Sequence, residues 1–304
     1  MKKHEKVLFQ RYKSLYLFLI PAVVLALVFS YLPMVGLLMG FKGEMLIGRY
    51  GPIEAFLRAD WTFEHFIKIF SDPTIGKYIL NTLYISILKI VILFPLPVFL
   101  AVLIADVRNK GFSTFVQSMV FLPHFLSWVV ITGIFKDLLA VDGPINSLFG
   151  IDVYWFGEPA IFPWLVVALN GWKEIGYSSI VYVAAILSID VSLYEAARMD
   201  GASKTRQAFS ITIPMIASTI ITMLIIRLGY LMEAGFEQVY TMITPYTYDS
   251  GQIIGTYVYE ISLGEMGGQY GLSTAVGLFN GIISLIMIVS ANYISKKVAQ
   301  EGIW

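Results

Sequence analysis

Six long apolar runs alternate with polar stretches, at roughly 15–39, 79–105, 114–135, 161–188, 214–236 and 271–293. Each exceeds twenty residues, so as a helix rising about 1.5 Å per residue each can cross a hydrocarbon layer of about 30 Å. Pro21 falls in the opening turns of the first run and Pro33 in its outer half, which predicts a kink near Pro33. Pro95 and Pro97 remove two amide donors from the second run, which should be bent or locally unwound there. Between the first two runs, Trp61, Phe63, Phe66, Ile67 and Phe70 form an aromatic stripe at helical spacing. One reading is a helix resting at the membrane interface, and the other is a contact for an external binding protein.

Charge orients these spans. Lys2, Lys3, Lys6, Arg11 and Lys13 precede the first run, which reads as an uncleaved anchor because it is too long for a signal core. With both termini inside, the inner segments hold twelve Lys and Arg. The outer segments hold six, five of them in the first, and 240–270 has none. Composition agrees with a membrane protein: 304 residues, 57% hydrophobic, 14% charged and a mean hydropathy of +0.74. The net charge of zero gives no reason to expect nucleic acid. There is no cysteine, and His4, His65 and His124 are scattered, so neither a metal site nor a nucleophilic triad is expected. The expectation is an all-α integral membrane protein with six transmembrane helices. Residues 1–14 form a cytoplasmic segment, 15–295 the membrane domain and 296–304 a cytoplasmic tail.

One polar loop stands apart, reading YEAARMDGASKTRQAFSITIP from Tyr194 to Pro214. The alanine-rich start favours a helix, Gly201 can stop it in the left-handed conformation, and Ser203 can cap a second one. Pro214 suits the first turn of the next span. Glu195-Ala196-Ala197, three residues, Gly201, nine residues, then Ile211-Thr212-Ile213-Pro214 resembles the EAA loop of ABC importer permeases, with Ile213 in place of the family's Leu. The resemblance implies that the cytoplasmic loop 190–214 inserts a coupling helix into an ATPase subunit. It assigns that contact to Glu195, Ala196, Ala197, Asp200, Gly201, Ala202, Ile211 and Pro214. It further implies a second six-span permease, of different sequence as in sugar importers, two ATPase subunits that hold ATP and Mg, and an extracytoplasmic substrate-binding protein. GASKT around Lys204 lacks the earlier glycine and the Gly-Lys pair of a phosphate loop, so this chain is not expected to bind ATP or to be an enzyme.

Charged and polar groups within the spans are the candidates for a path through the membrane. At 100° per residue, Asn170, Lys173, Glu174 and Tyr177 share one arc, with Trp172 nearby. Arg227, Tyr230, Glu233 and Glu237 share another. Either Lys173–Glu174 and Arg227–Glu233 neutralise each other, or these groups bind sugar hydroxyls while the aromatic rings stack on sugar faces. Lys89 reads as a buried ion-pair partner or a snorkelling residue before a ligand, and Asn81 and Asn280 as interhelical glue. The expected function is ATP-driven, binding-protein-dependent import of oligosaccharides across the bacterial inner membrane. Acidic or decorated sugars are favoured over neutral ones because of the mid-span cations. The alternatives are an ABC permease for a non-sugar solute, and a secondary transporter driven by an ion gradient. The latter would show paired halves with broken helices, and no repeat is visible.

Overall fold

The computed structural model describes residues 2–264, 267–299 and 302. Met1 of the N-terminal segment, Glu265 and Met266 of the last outer segment, and Gln300, Glu301, Ile303 and Trp304 of the tail lie outside the described residues. The described residues are helical, with no strand and one isolated bridge between Lys42 and Trp61. The principal helices are α1 (Lys2–Ala26), α2 (Pro73–Leu88), α3 (Pro95–Ala105), α4 (Lys110–Phe121), α5 (Trp128–Leu138), α6 (Phe162–Leu187), α7 (Val191–Met199), α8 (Ala217–Gly229), α9 (Phe236–Met242) and α10 (Tyr270–Ala299).

Three stretches, Leu15–Phe41, Pro73–Ala105 and Tyr270–Lys297, are each long and apolar enough to cross a membrane. Three bent pairs reach that threshold when joined, which allows up to six spans. They are Lys110–Phe125 with Trp128–Leu138, bent by 99°, Phe162–Leu187 with Val191–Met199, bent by 73°, and Lys204–Met215 with Ala217–Gly229, bent by 63°.

Contacts divide the chain into two compact units. One holds residues 1–71 and 258–279. Here the expected kink at Pro33 is a longer change of winding: α1 passes into a π segment, Leu27–Tyr31, and then a 3-10 segment, Leu32–Phe41. The aromatic stretch forms the helix Glu64–Ser71, with Phe63, Ile67 and Phe70 exposed and Ile69 buried. The Lys42 ammonium donates to the Ala59 carbonyl at 2.8 Å and lies 4.2 Å from the Trp61 ring centre.

The other unit holds residues 72–257 and 280–304 and is built around α6. Twelve α6 residues are buried, among them Phe162, Val166, Leu169 and Gly176. Phe162, Leu165, Val166 and Leu169 pack with Ile85, Trp128, Ile131, Val239, Met242 and Ile253 in one apolar cluster. Gly176 permits a close crossing with α4, since a Cβ there would lie 1.9 Å from the Val120 carbonyl oxygen. Asn81 donates to the carbonyls of Asp249 and Gln252, joining α2 to that segment.

Winding in this unit is loosened at the PLP region as expected, and departs from the uninterrupted third and fifth spans expected of the sequence. The PLP region is loosened by a π segment at Lys89–Leu93, immediately before Pro95 begins α3. The third apolar run breaks between a 3-10 turn, Leu122–Phe125, and α5, which Ser127 caps at the Val130 amide. The fifth run is interrupted at Ile216, and α8 ends at Gly229 rather than near Phe236. Ala234 (φ 49°) and Gly235 (φ 85°) then turn the chain into α9. A third π segment, Ala208–Thr212, precedes Pro214. All three π segments thus end two residues before a proline: Pro33, Pro95 and Pro214. A proline ring clashes with the carbonyl four residues back, and a wider turn gives it room.

Candidate functional site

Two features of the larger unit carry candidate function: a cavity among the helices, and the polar loop that joins α6 to α8.

The cavity has a volume of about 320 Å³. One wall is the π segment after α2 and the start of α3, through Lys89, Leu93, Phe94 and Pro97. Asn170, Glu174, Tyr177, Val181 and Tyr182 of α6 form the second wall. Met223, Ile226 and Arg227 of α8, with Tyr230 at its end, form the third. Five of the nine expected path residues, Asn170, Glu174, Tyr177, Arg227 and Tyr230, therefore meet in one space.

The other four lie elsewhere. Trp172 is not among the lining residues and meets Phe135 edge-on, with ring centres 5.3 Å apart. Lys173 is buried at 7% exposure, and its ammonium donates to the carbonyls of His124 at 2.5 Å and Leu126 at 2.6 Å. Those carbonyls sit at the break between α4 and α5, where the backbone lacks regular helical partners, so the cation fills their need. Glu233 and Glu237 are exposed beyond the end of α8. The arc drawn through them needed a helix continuing to Phe236, and the turn at Ala234 and Gly235 removes it.

The ion pairs weighed in the sequence fare unevenly. Lys173 lies 4.0 Å from Glu174, while no Arg227–Glu233 pair forms among the described residues. Arg227 stands in the last turn of α8, where the helix dipole favours a cation. Lys89 has no carboxylate partner there either. It donates to the Ala234 carbonyl at 2.8 Å and to Gln238 Oε1 at 2.7 Å, fastening the turn beyond α8. His124, scattered in the sequence, reaches Glu174 through Nδ1 at 3.0 Å and stacks flat on Tyr177 with ring centres 3.7 Å apart. No sequence signal marked it, because its partners lie about fifty residues away across a helix packing. Tyr182 was likewise unmarked.

The loop is organised by local chemistry. Asp190 accepts from the Ser192 amide at 2.9 Å, and that backbone bond holds its carboxyl below the usual carboxylate range. Glu195, Ala196 and Ala197 lie on α7. The helix stops in a Schellman motif: Gly201 N–H bonds the Arg198 carbonyl at 3.0 Å, and Ala202 N–H bonds that of Ala197 at 2.9 Å. Gly201 has φ 77°. Asp200 is the C-cap of α7, and Ser203 caps the next turn at the Arg206 amide. Ile211 lies in the π segment that precedes Pro214. Lys204 pairs with Asp106 at the end of α3, and Tyr194 meets the Thr212 hydroxyl at 2.9 Å. The tip is open, with Met199 88% exposed between the exposed Arg198 and Asp200. Tyr194 also packs on the cluster of Ala101, Tyr182, Ile186, Ile189 and Ile216. Met223 flanks that cluster, and both Tyr182 and Met223 line the cavity. Packed side chains therefore run continuously from the loop to the cavity.

The family described as "Binding-protein-dependent transport system inner membrane component" matches residues 93–300. The chain is 39% identical over 301 residues to the polygalacturonan/rhamnogalacturonan transport system permease protein YteP of Bacillus subtilis (strain 168), covering 96% of this chain and 90% of that one. It superposes with a TM-score of 0.88 and 35% identity on a chain of a bacterial ABC transporter involved in the import of the acidic polysaccharide alginate, over 98% of this chain and 99% of that one. A second structure is a bacterial alginate ABC transporter in complex with an alginate pentasaccharide-bound periplasmic protein. It gives a TM-score of 0.86 at 36% identity, over 97% of this chain and 98% of that one. This chain belongs to the family of binding-protein-dependent transport system inner-membrane components, the permeases of ABC importers.

Proposed function

We propose that this permease carries an acidic oligosaccharide inward across the bacterial cytoplasmic membrane. The observation that carries the reading is the charge of the cavity. Arg227 and Lys89 bring two cations, Arg227 with no carboxylate paired to it among the described residues and Lys89 held by the Ala234 carbonyl and Gln238, and Glu174, the one acid in the wall, is taken by His124. A uronate chain would offset the cost of holding those cations inside a membrane. Asn170 offers hydrogen bonds to hydroxyls, and Tyr177, Tyr182 and Tyr230 offer ring faces to the sugar. The relatives that transport polygalacturonan, rhamnogalacturonan and alginate support the same class of cargo.

Both termini face the cytoplasm in this reading, and the loop 190–214 docks on an ATPase. The working assembly adds a second permease of different sequence, two ATPase subunits carrying ATP and Mg, and an extracytoplasmic binding protein that delivers the sugar. ATP binding draws the ATPases together. The motion enters through the exposed tip of α7 and reaches the cavity through Tyr194, Tyr182 and Met223, alternating access between the two sides.

The test is uptake into liposomes holding the whole assembly, driven by ATP with ion gradients collapsed. Arg227→Gln should raise the half-saturating concentration of a uronate oligomer about tenfold, the loss of one charge-assisted bond, and that of a neutral oligomer of equal length less than about twofold. Equal losses for the two sugars overturn the acidic reading. Uptake that needs an ion gradient and ignores ATP overturns the importer itself.

A further inference from the structure

His124 lies outside the cavity lining, yet three consecutive contacts from α6 converge on it. Lys173 takes the carbonyls of His124 and Leu126, fixing the backbone of the turn that bends the third apolar run by 99°. One residue on, Glu174 Oε2 accepts from the Nδ1 of the His124 ring at 3.0 Å. One helical turn further, Tyr177 lies flat against the same ring, with planes inclined by 2°. Glu174 and Tyr177 are the two residues of this group that line the cavity. The histidine thus holds from behind the groups that a passing ligand meets in front.

This arrangement has an electrostatic consequence. A free carboxylate in the cavity would repel an anionic sugar and attract Lys89 or Arg227, cancelling the charge on which selection depends. A ring N–H bonded to Oε2 draws that carboxylate to the wall, and the Lys173 ammonium lies 4.0 Å from Oε1. We propose that His124 is a positioning residue for anion selection: it holds Glu174 against the wall and seats the Tyr177 ring, leaving Arg227 to face the cargo. The selection half of this statement rests on the acidic-sugar reading, and the positioning half does not.

The experiment separates the two. His124→Phe keeps a ring against Tyr177 and loses the donor, whereas His124→Asn keeps a donor near the Nδ1 position and loses the ring. In the assembled transporter without sugar, an apolar carbodiimide is used to modify Glu174, and the product is quantified by mass spectrometry. The phenylalanine variant should be modified several-fold more than the parent chain, and the asparagine variant close to the parent. Equal modification of all three overturns the positioning. If the phenylalanine variant does not assemble with its partners, His124→Met, which also lacks a donor, gives the same reading.

Uptake then tests selection. His124→Phe should raise the half-saturating concentration of a uronate oligomer about tenfold, the loss of one bond to a charged group, and leave a neutral oligomer within about threefold. Adding Glu174→Gln to that variant should restore most of the loss, because the freed charge is gone. A purely structural histidine predicts no such rescue. Raised modification of Glu174 with equal effects on the two sugars keeps the positioning and overturns the acidic cargo.

Discussion

Helix α6 runs unbroken past the cavity, whereas α8 stops at its edge, and the two treat their charges differently. In α6 the two charged groups meet protein partners: Lys173 meets two carbonyls of the neighbouring turn, and Glu174 meets His124. At the end of α8, Arg227 has no carboxylate against it among the described residues and looks into the cavity, supported by the negative end of its own helix. A helix that passes between others can settle its charges on them. A helix that ends at a cavity can leave one free for cargo. In the proposed reading Lys173 is structural and Arg227 selects, although both read alike as mid-span cations.

The largest way to break this comparison is at the crossing that keeps α6 in place. Gly176→Val would drive a side chain into the Val120 carbonyl, and overpacking against backbone should cost about 3 kcal/mol or more. The expected outcome is loss of assembly with the partner subunits, measured by co-purification. Recovery of the intact complex would show that α4 can yield. Next, Lys173→Met keeps the volume and leaves the His124 and Leu126 carbonyls without their donor, at about 2–4 kcal/mol. The unfolding midpoint in detergent should fall, and uptake of charged and neutral oligosaccharides should fall together. A loss confined to the charged sugar would move Lys173 into the path beside Arg227. The smallest effect is expected at the turn beyond α8. Gly235→Ala meets φ 85° and the Lys89 ammonium at 2.8 Å, and should cost about 1–2 kcal/mol. A thermal midpoint equal to that of the parent chain would mean that the turn accepts a side chain and the Lys89 ammonium gives way to it.

The loop 190–214 was legible almost residue by residue, because its geometry depends on neighbours in sequence. A glycine stop at Gly201 and a cap at Ser203 are local chemistry, and both stand where the residues place them, whereas Pro214 lies near the end of the winding from Lys204 to Met215 and does not open the next helix, which begins at Ala217. In the cavity, Asn170, Glu174 and Tyr177 were legible because α6 is regular enough for the 100° rule to hold over two turns. Lys173 was not, because a residue at the edge of an arc is claimed by whichever backbone packs beside it. Glu233 and Glu237 lie away from the cavity for another reason: the rule stops at a helix end, and Ala234, a residue that rarely takes positive φ, gave no warning of one. His124 required knowing that the break in the third run packs on α6.

The three π segments also bear on how the chain can change in length. Each stores one residue more than α winding needs over the same stretch. Deleting a residue inside Leu27–Tyr31, Lys89–Leu93 or Ala208–Thr212 lets the helix return to α winding and keeps every later side chain in phase. A deletion elsewhere in a span turns everything beyond it by about 100°. Such a return to α winding brings the following proline ring back against the carbonyl four residues before it. The spare residue and its proline therefore form one unit of insertion and deletion, and these spans change length without disturbing their faces only when both are gained or lost together.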